Sequence, residues 1–123
     1  MPAAVMVVAE DLFFLAKIRE AAKAVGVAVV TGDVRNGTAV AAQTQPLAIF
    51  LDLNLRGLSA LDCVRALKAD PATQAIRIVG YVSHVQKQMI ADARAAGCDS
   101  VLARSAFANQ LPSLLQSLVG EGR

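Results

Sequence analysis

Apolar and polar positions follow two rhythms along this chain: short unbroken apolar runs, and longer stretches with apolar residues three or four apart. Leu47-Ala48-Ile49-Phe50-Leu51 is the clearest run, too short for a buried helix and suited to a strand covered on both faces. It stops at Asp52. Val5 to Val8, Val27 to Val30, Ala75 to Val82 and Ser100 to Ala103 predict further strands of the same kind.

Helical spacing fills the intervals. Phe14, Ile18, Ala21 and Val25 form one stripe and predict a helix from Asp11 to Val25, with Lys17, Glu20 and Lys23 off the stripe and Gly26 as the stop. A short helix is expected over Thr38 to Gln43, after the break at Asn36-Gly37. Leu58, Leu61, Val64 and Leu67 mark another, ended at Asp70-Pro71 because the residue before proline is pushed out of the helical region. An Ala-rich helix is expected from Gln86 to Ala96, closed by Gly97. Leu111, Leu114, Leu115, Leu118 and Val119 predict the last helix, with Arg104-Ser105 in the loop before it and Pro112 confined to its first turn.

Strand and helix in alternation predict an α/β fold, a doubly wound parallel sheet with helices on both faces. In such sheets ligands bind beyond the carboxyl ends of the strands. There the sequence places Ala9-Glu10-Asp11, Asp52, Ser83 and Arg104. Carboxylates suit a hard cation such as Mg²⁺, whereas a hydroxyl and a guanidinium suit phosphoryl oxygens.

Composition narrows the picture. A chain of 123 residues, 55% hydrophobic and 18% charged, fits one domain (residues 1–123) around a single core. A net charge of +2 with scattered cations and few aromatics argues against nucleic acid. No apolar run is long enough for a membrane span and no basic leader precedes the first strand, so a soluble cytoplasmic protein is expected. Cys63 and Cys98, far apart and without metal-site spacing, are expected to be small buried hydrophobes.

Five stretches taken together resemble the receiver domain of two-component response regulators over essentially the whole chain. They are Val7-Val8-Ala9-Glu10, Phe50-Leu51-Asp52-Leu53-Asn54, Leu67-Lys68-Ala69-Asp70-Pro71-Ala72-Thr73, Tyr81-Val82-Ser83, and Ala95-Ala96-Gly97-Cys98-Asp99 followed by Arg104. The resemblance implies a flavodoxin-like sheet of order 2-1-3-4-5. It also implies a signalling module in a phosphorelay, not an enzyme beyond self-phosphorylation. Asp52 would be the phosphoacceptor, served by a histidine kinase or phosphotransfer protein. Ser83 would be the hydroxyl that tracks the phosphoryl group, and Glu10, Asp52 and the Asn54 carbonyl would hold Mg²⁺.

Five positions depart from the family pattern. Ala9 replaces an acid, so the Mg²⁺ site is expected to be weak, and Arg104 replaces Lys with a planar fork. Arg56 and Ala60 stand in the loop after the acceptor where Pro and Gly are usual, and Val101 stands where many receivers carry a switching aromatic. The expected output is contact with a downstream signalling protein that is not necessarily controlled by phosphorylation; a homodimer stays open. A fully active Mg²⁺-dependent phosphoacceptor is the alternative. An unrelated small α/β enzyme is disfavoured because no Gly-rich phosphate loop follows the first strand.

Simpler roles compete at several positions. Glu10 and Asp11 serve equally as charge at the positive end of the first helix, worth about 0.3–1 kcal/mol. Asp52 could be held in a permanent pair with Arg104. Ser83 could cap the following helix, His84 is expected to face solvent, and Tyr81 reads as packing. Phe13, off the core stripe, is expected to be partly exposed beside the site, with a local fold-back over the Leu12 side as the competing arrangement.

Overall fold

The computed structural model describes residues 3–54, 60–83 and 87–121. Strands β1 (Ala4–Val8), β2 (Ala28–Thr31), β3 (Ala48–Asp52), β4 (Arg77–Val82) and β5 (Ser100–Ala103) pair in parallel in the order β2-β1-β3-β4-β5. Between and after them run α1 (Leu12–Ala24), α2 (Gly37–Thr44), α3 (Ala60–Ala69), α4 (Lys87–Ala96) and α5 (Arg104–Glu121). The predicted topology is therefore the observed one.

Side-chain alternation along the strands divides the core in two. Val5, Val7, Phe50, Val79 and Tyr81 face α1 and α5, where they meet Phe14, Ile18, Phe107, Leu111 and Leu115. Met6, Val8, Ile49, Leu51, Ile78 and Val82 face the opposite way, toward Ala41 of α2, Val64 and Leu67 of α3 and Ala93 of α4. β3 is buried on both faces from Ala48 to Leu51, and only Asp52 at its end is partly exposed.

The last helix differs from expectation. Arg104-Ser105 is not a loop but the first turn of α5, and Pro112 lies inside the helix, well beyond its first turn. Phe107, Leu111, Leu115 and Leu118 make a buried stripe at helical spacing, and Phe107 extends it a full turn toward β5. That apolar stripe outweighs the interior proline, which sits on the exposed side. Both cysteines are buried as expected, and burial pushes the Cys98 thiol up to about 11 and raises that of Cys63.

The end of the sheet away from Asp52 is fastened by polar contacts. Lys68 on α3 donates to the carbonyls of Gln74 and Ile76 and to the Asp99 carboxylate, which also accepts the Ile78 N–H. Thr73, fully buried, donates its hydroxyl to the Leu67 carbonyl at 2.6 Å. These bonds tie the turn after α3 and the turn before β5 to the start of β4.

Candidate functional site

Parallel register aligns the carboxyl ends of the central strands. Val8 pairs with Leu51, Asp52 with Tyr81, and Val82 with Ala103, so Glu10, Asp52, Ser83 and Arg104 all emerge at one edge. Glu10 is exposed in the bend between β1 and α1. Asp52 is half-buried, and its Oδ1 accepts the Asn54 N–H at 2.9 Å.

Asn54 in turn joins the two central loops. Its Oδ1 accepts the Ser83 N–H at 2.7 Å, and the Leu53 N–H bonds the Tyr81 carbonyl at 3.0 Å. Gly80 makes this approach feasible, since a Cβ there would meet the Leu53 side chain at 2.8 Å. Backbone and side chain thus fix Asp52 and Ser83 relative to each other. Arg56, His84 and Gln86 lie outside the described residues.

Arg104 does not pair with Asp52. Its Nη2 bonds Oδ2 of Asp11, and its Cζ lies 4.4 Å from the centre of the Phe14 ring. Asp11 is the N-cap of α1: its Oδ1 accepts the N–H groups of Phe13 at 2.9 Å and Phe14 at 3.1 Å. One carboxylate therefore caps the first helix and holds the first residue of the last. Of the two adjacent acids, Asp11 takes the helix-end role and Glu10 is left facing solvent. The pairing with Arg104 was not legible because 93 positions separate the partners.

The Arg104 hydrogen bond, followed by the Phe14 N–H, holds the Asp11 carboxyl below its ordinary value of 3.8, and Asp11 raises Arg104 in return. A depressed carboxyl stabilises the fold above its unfolded value and loses that effect as pH falls through the folded value. Asp11→Asn keeps a capping oxygen but removes the charge. Wild type is expected to exceed Asp11→Asn in urea midpoint above pH 3.8, with the gap closing below it. A gap that persists in stronger acid would assign the difference to something other than this carboxylate.

A cleft of about 460 Å³ opens beside the edge, between Phe13, Phe14 and Lys17 of α1 and Arg104, Ser105 and Ala108 of α5, with Ser83 at its rim. Asp52 stands outside its walls. Phe13 is 90% exposed, as its place off the stripe predicts, and does not fold back onto Leu12, itself 77% exposed.

Glu10, Asp52 and the Asn54 carbonyl are oxygen donors at this edge, the type that a hard cation such as Mg²⁺ takes. Among the described residues no cluster of three or more His, Cys, Asp or Glu side chains could hold a metal.

No family model matches the chain. A nitrate/nitrite response regulator protein homolog of Haemophilus influenzae is 45% identical over 53 residues, which cover 41% of this chain and 26% of that protein. The chain therefore matches about a quarter of that relative's length. Likeness to solved structures spans nearly the whole chain. The chemotaxis protein CheY4 of Vibrio cholerae matches with a TM-score of 0.83 at 18% identity, over 96% of this chain and 99% of that one. A putative response regulator of Chloroflexus aurantiacus gives 0.84 at 15% identity, over 98% and 99%. The receiver domain of a Pseudomonas aeruginosa sensor histidine kinase, with magnesium in its active-site cleft, gives 0.83 at 18% identity, over 98% and 99%. The fold is that of response-regulator receivers.

Proposed function

We propose that this receiver-fold chain is a phosphorelay signalling module that accepts a phosphoryl group on Asp52 and acts through contact with a downstream protein. One observation carries the reading: Asp52 ends the central strand half-buried, with one oxygen oriented by the Asn54 amide and Ser83 tied to the same residue. The bond to Oδ1 points the remaining oxygen, Oδ2, to the nucleophile's role. Oδ2 attacks phosphorus of a partner's phosphohistidine, the P–N bond breaks, and the imidazole leaves with its electron pair. The Ser83 hydroxyl and the Arg104 guanidinium then serve the phosphoryl oxygens.

Mg²⁺ bound through Glu10, Asp52 and the Asn54 carbonyl would offset charge on the transferring group. Ala9→Asp restores a carboxylate at this edge and is expected to tighten Mg²⁺ binding in a titration. An unchanged affinity would argue that the cation binds elsewhere.

The reading is tested by intact mass after incubation with acetyl phosphate and Mg²⁺. Wild type should gain one phosphoryl group and Asp52→Ala none; equal labelling of both would refute it. Because Asp11 already engages Arg104, and Val101 is buried without a ring to move, a second reading has the output contact formed with or without the phosphoryl group. Hydrogen exchange over residues 101–107 in the same samples separates the two, since new protection on phosphorylation would favour a regulated output.

A further inference from the structure

Tyr81 is 1% exposed, yet among the described residues its buried hydroxyl has no hydrogen-bond partner. The ring itself is well used. It stacks on Phe107 at 5.0 Å and 7° and leans on Phe14 at 4.9 Å and 45°. A phenylalanine would make the same contacts without the cost of an unsatisfied buried hydroxyl, about 1–3 kcal/mol. Packing explains the ring and leaves the oxygen unexplained.

Its position supplies a reason. Tyr81 is the β-bridge partner of Asp52 on one side and of Leu102 on the other, so the three side chains leave the same face of the sheet. Arg104 follows Leu102 by two residues and lies against Phe14, the ring that also touches Tyr81. The phenol thus sits within the field of Asp52, Arg104 and Asp11 together. Burial, then the charge of Asp52, raises its pKa and keeps the proton on the oxygen. A neutral phenol is a donor, and among the described residues this one has no acceptor.

We propose that the Tyr81 hydroxyl is a further donor of the Asp52 site, unbonded at rest and bonded to an oxyanion oxygen once Asp52 carries a phosphoryl group or its mimic. The inference rests on Asp52 as the acceptor. It adds to Ser83 and Arg104 a third donor, reached from beneath the site through the α1/α5 layer. The hydroxyl's cost at rest then becomes a bias toward the loaded state, because loading supplies the missing acceptor.

The chain has one tyrosine and no tryptophan, so its near-ultraviolet absorption above the phenylalanine bands reports on Tyr81 alone. Beryllofluoride with Mg²⁺ is added to wild type, Tyr81→Phe and Asp52→Ala, with binding followed by calorimetry. The wild-type tyrosine band is expected to shift to the red on saturation. Tyr81→Phe should bind about tenfold more weakly, the scale of one lost hydrogen bond to a charged acceptor. It should melt no lower than wild type when unliganded, since it loses an unsatisfied group. A purely structural tyrosine would give the reverse, a lower melting temperature with unchanged affinity.

If the wild-type band does not move although beryllofluoride binds wild type and not Asp52→Ala, the Tyr81 proposal is overturned and the acceptor reading survives. Should beryllofluoride bind Asp52→Ala as well as wild type, or bind neither, the acceptor reading falls and Tyr81 falls with it. The spectral result in wild type decides the matter even if the Phe variant is unstable.

Discussion

Phe107→Ala is expected to destabilise the fold by about 3–5 kcal/mol, the range for emptying a large aromatic site in a packed core. Phe107 is 0% exposed and its ring lies 5.1 Å from Phe50, 5.0 Å from Tyr81 and 5.9 Å from Phe14. It joins β3, β4 and α1 to the first turns of α5. A domain of this size is held by about 5–15 kcal/mol in all, so this one change removes about a fifth of that margin at the least. Urea denaturation should give a much lower midpoint with little change of slope. Phe13→Ala, at a ring 90% exposed, is the control and should move stability by no more than about 0.5 kcal/mol. Similar losses in the two variants would show that Phe107 is not the joint of this layer.

Gly97→Ala is expected to be the second most damaging of these changes. Gly97 follows α4 with φ +126°, a conformation that side chains rarely adopt, at a backbone cost of about 1–3 kcal/mol. Space is also missing, since an added Cβ would stand 2.5 Å from Cγ of Lys68. Moving Lys68 disturbs its bonds to Gln74, Ile76 and Asp99 together. Thermal melting should fall well below wild type, and Lys68→Ala combined with Gly97→Ala should cost less than the sum of the single changes. Strict additivity would mean that backbone strain alone accounts for the loss.

Local patterns carried most of the fold. The apolar run before Asp52 could be little other than a doubly covered strand, and Asp11 and Gly26 bracket α1 to within a residue or two. The start of α5 was hidden for a physical reason. Pro112 is a strong local signal against a helix interior, while the buried face that overrides it, from Phe107 to Leu118, acts only once α5 lies on the sheet. The site was legible as far as residues at strand ends go, because register follows from parallel pairing. Its connections were not: Arg104 with Asp11, Asn54 with the Ser83 amide, and Tyr81 beneath them depend on distances between elements remote in sequence. A tyrosine in an apolar strand reads as filler until its hydroxyl is found without a partner.

The union of α1 with α5 also sets an order for the birth of the protein. During synthesis α1 leaves the ribosome early, yet Phe14 and Ile18 find Phe107, Leu111 and Leu115 only after α5 has been made. The layer of α2, α3 and α4 can close sooner, since its partners on β1, β3 and β4 precede α5. Until then the sheet face bearing Val5, Val7, Phe50 and Val79 has only α1 to cover it, and the part that α5 will cover is adhesive. A nascent chain halted at β5 therefore has one layer closed and the other half-covered, the kind of exposed apolar surface on which incomplete chains aggregate.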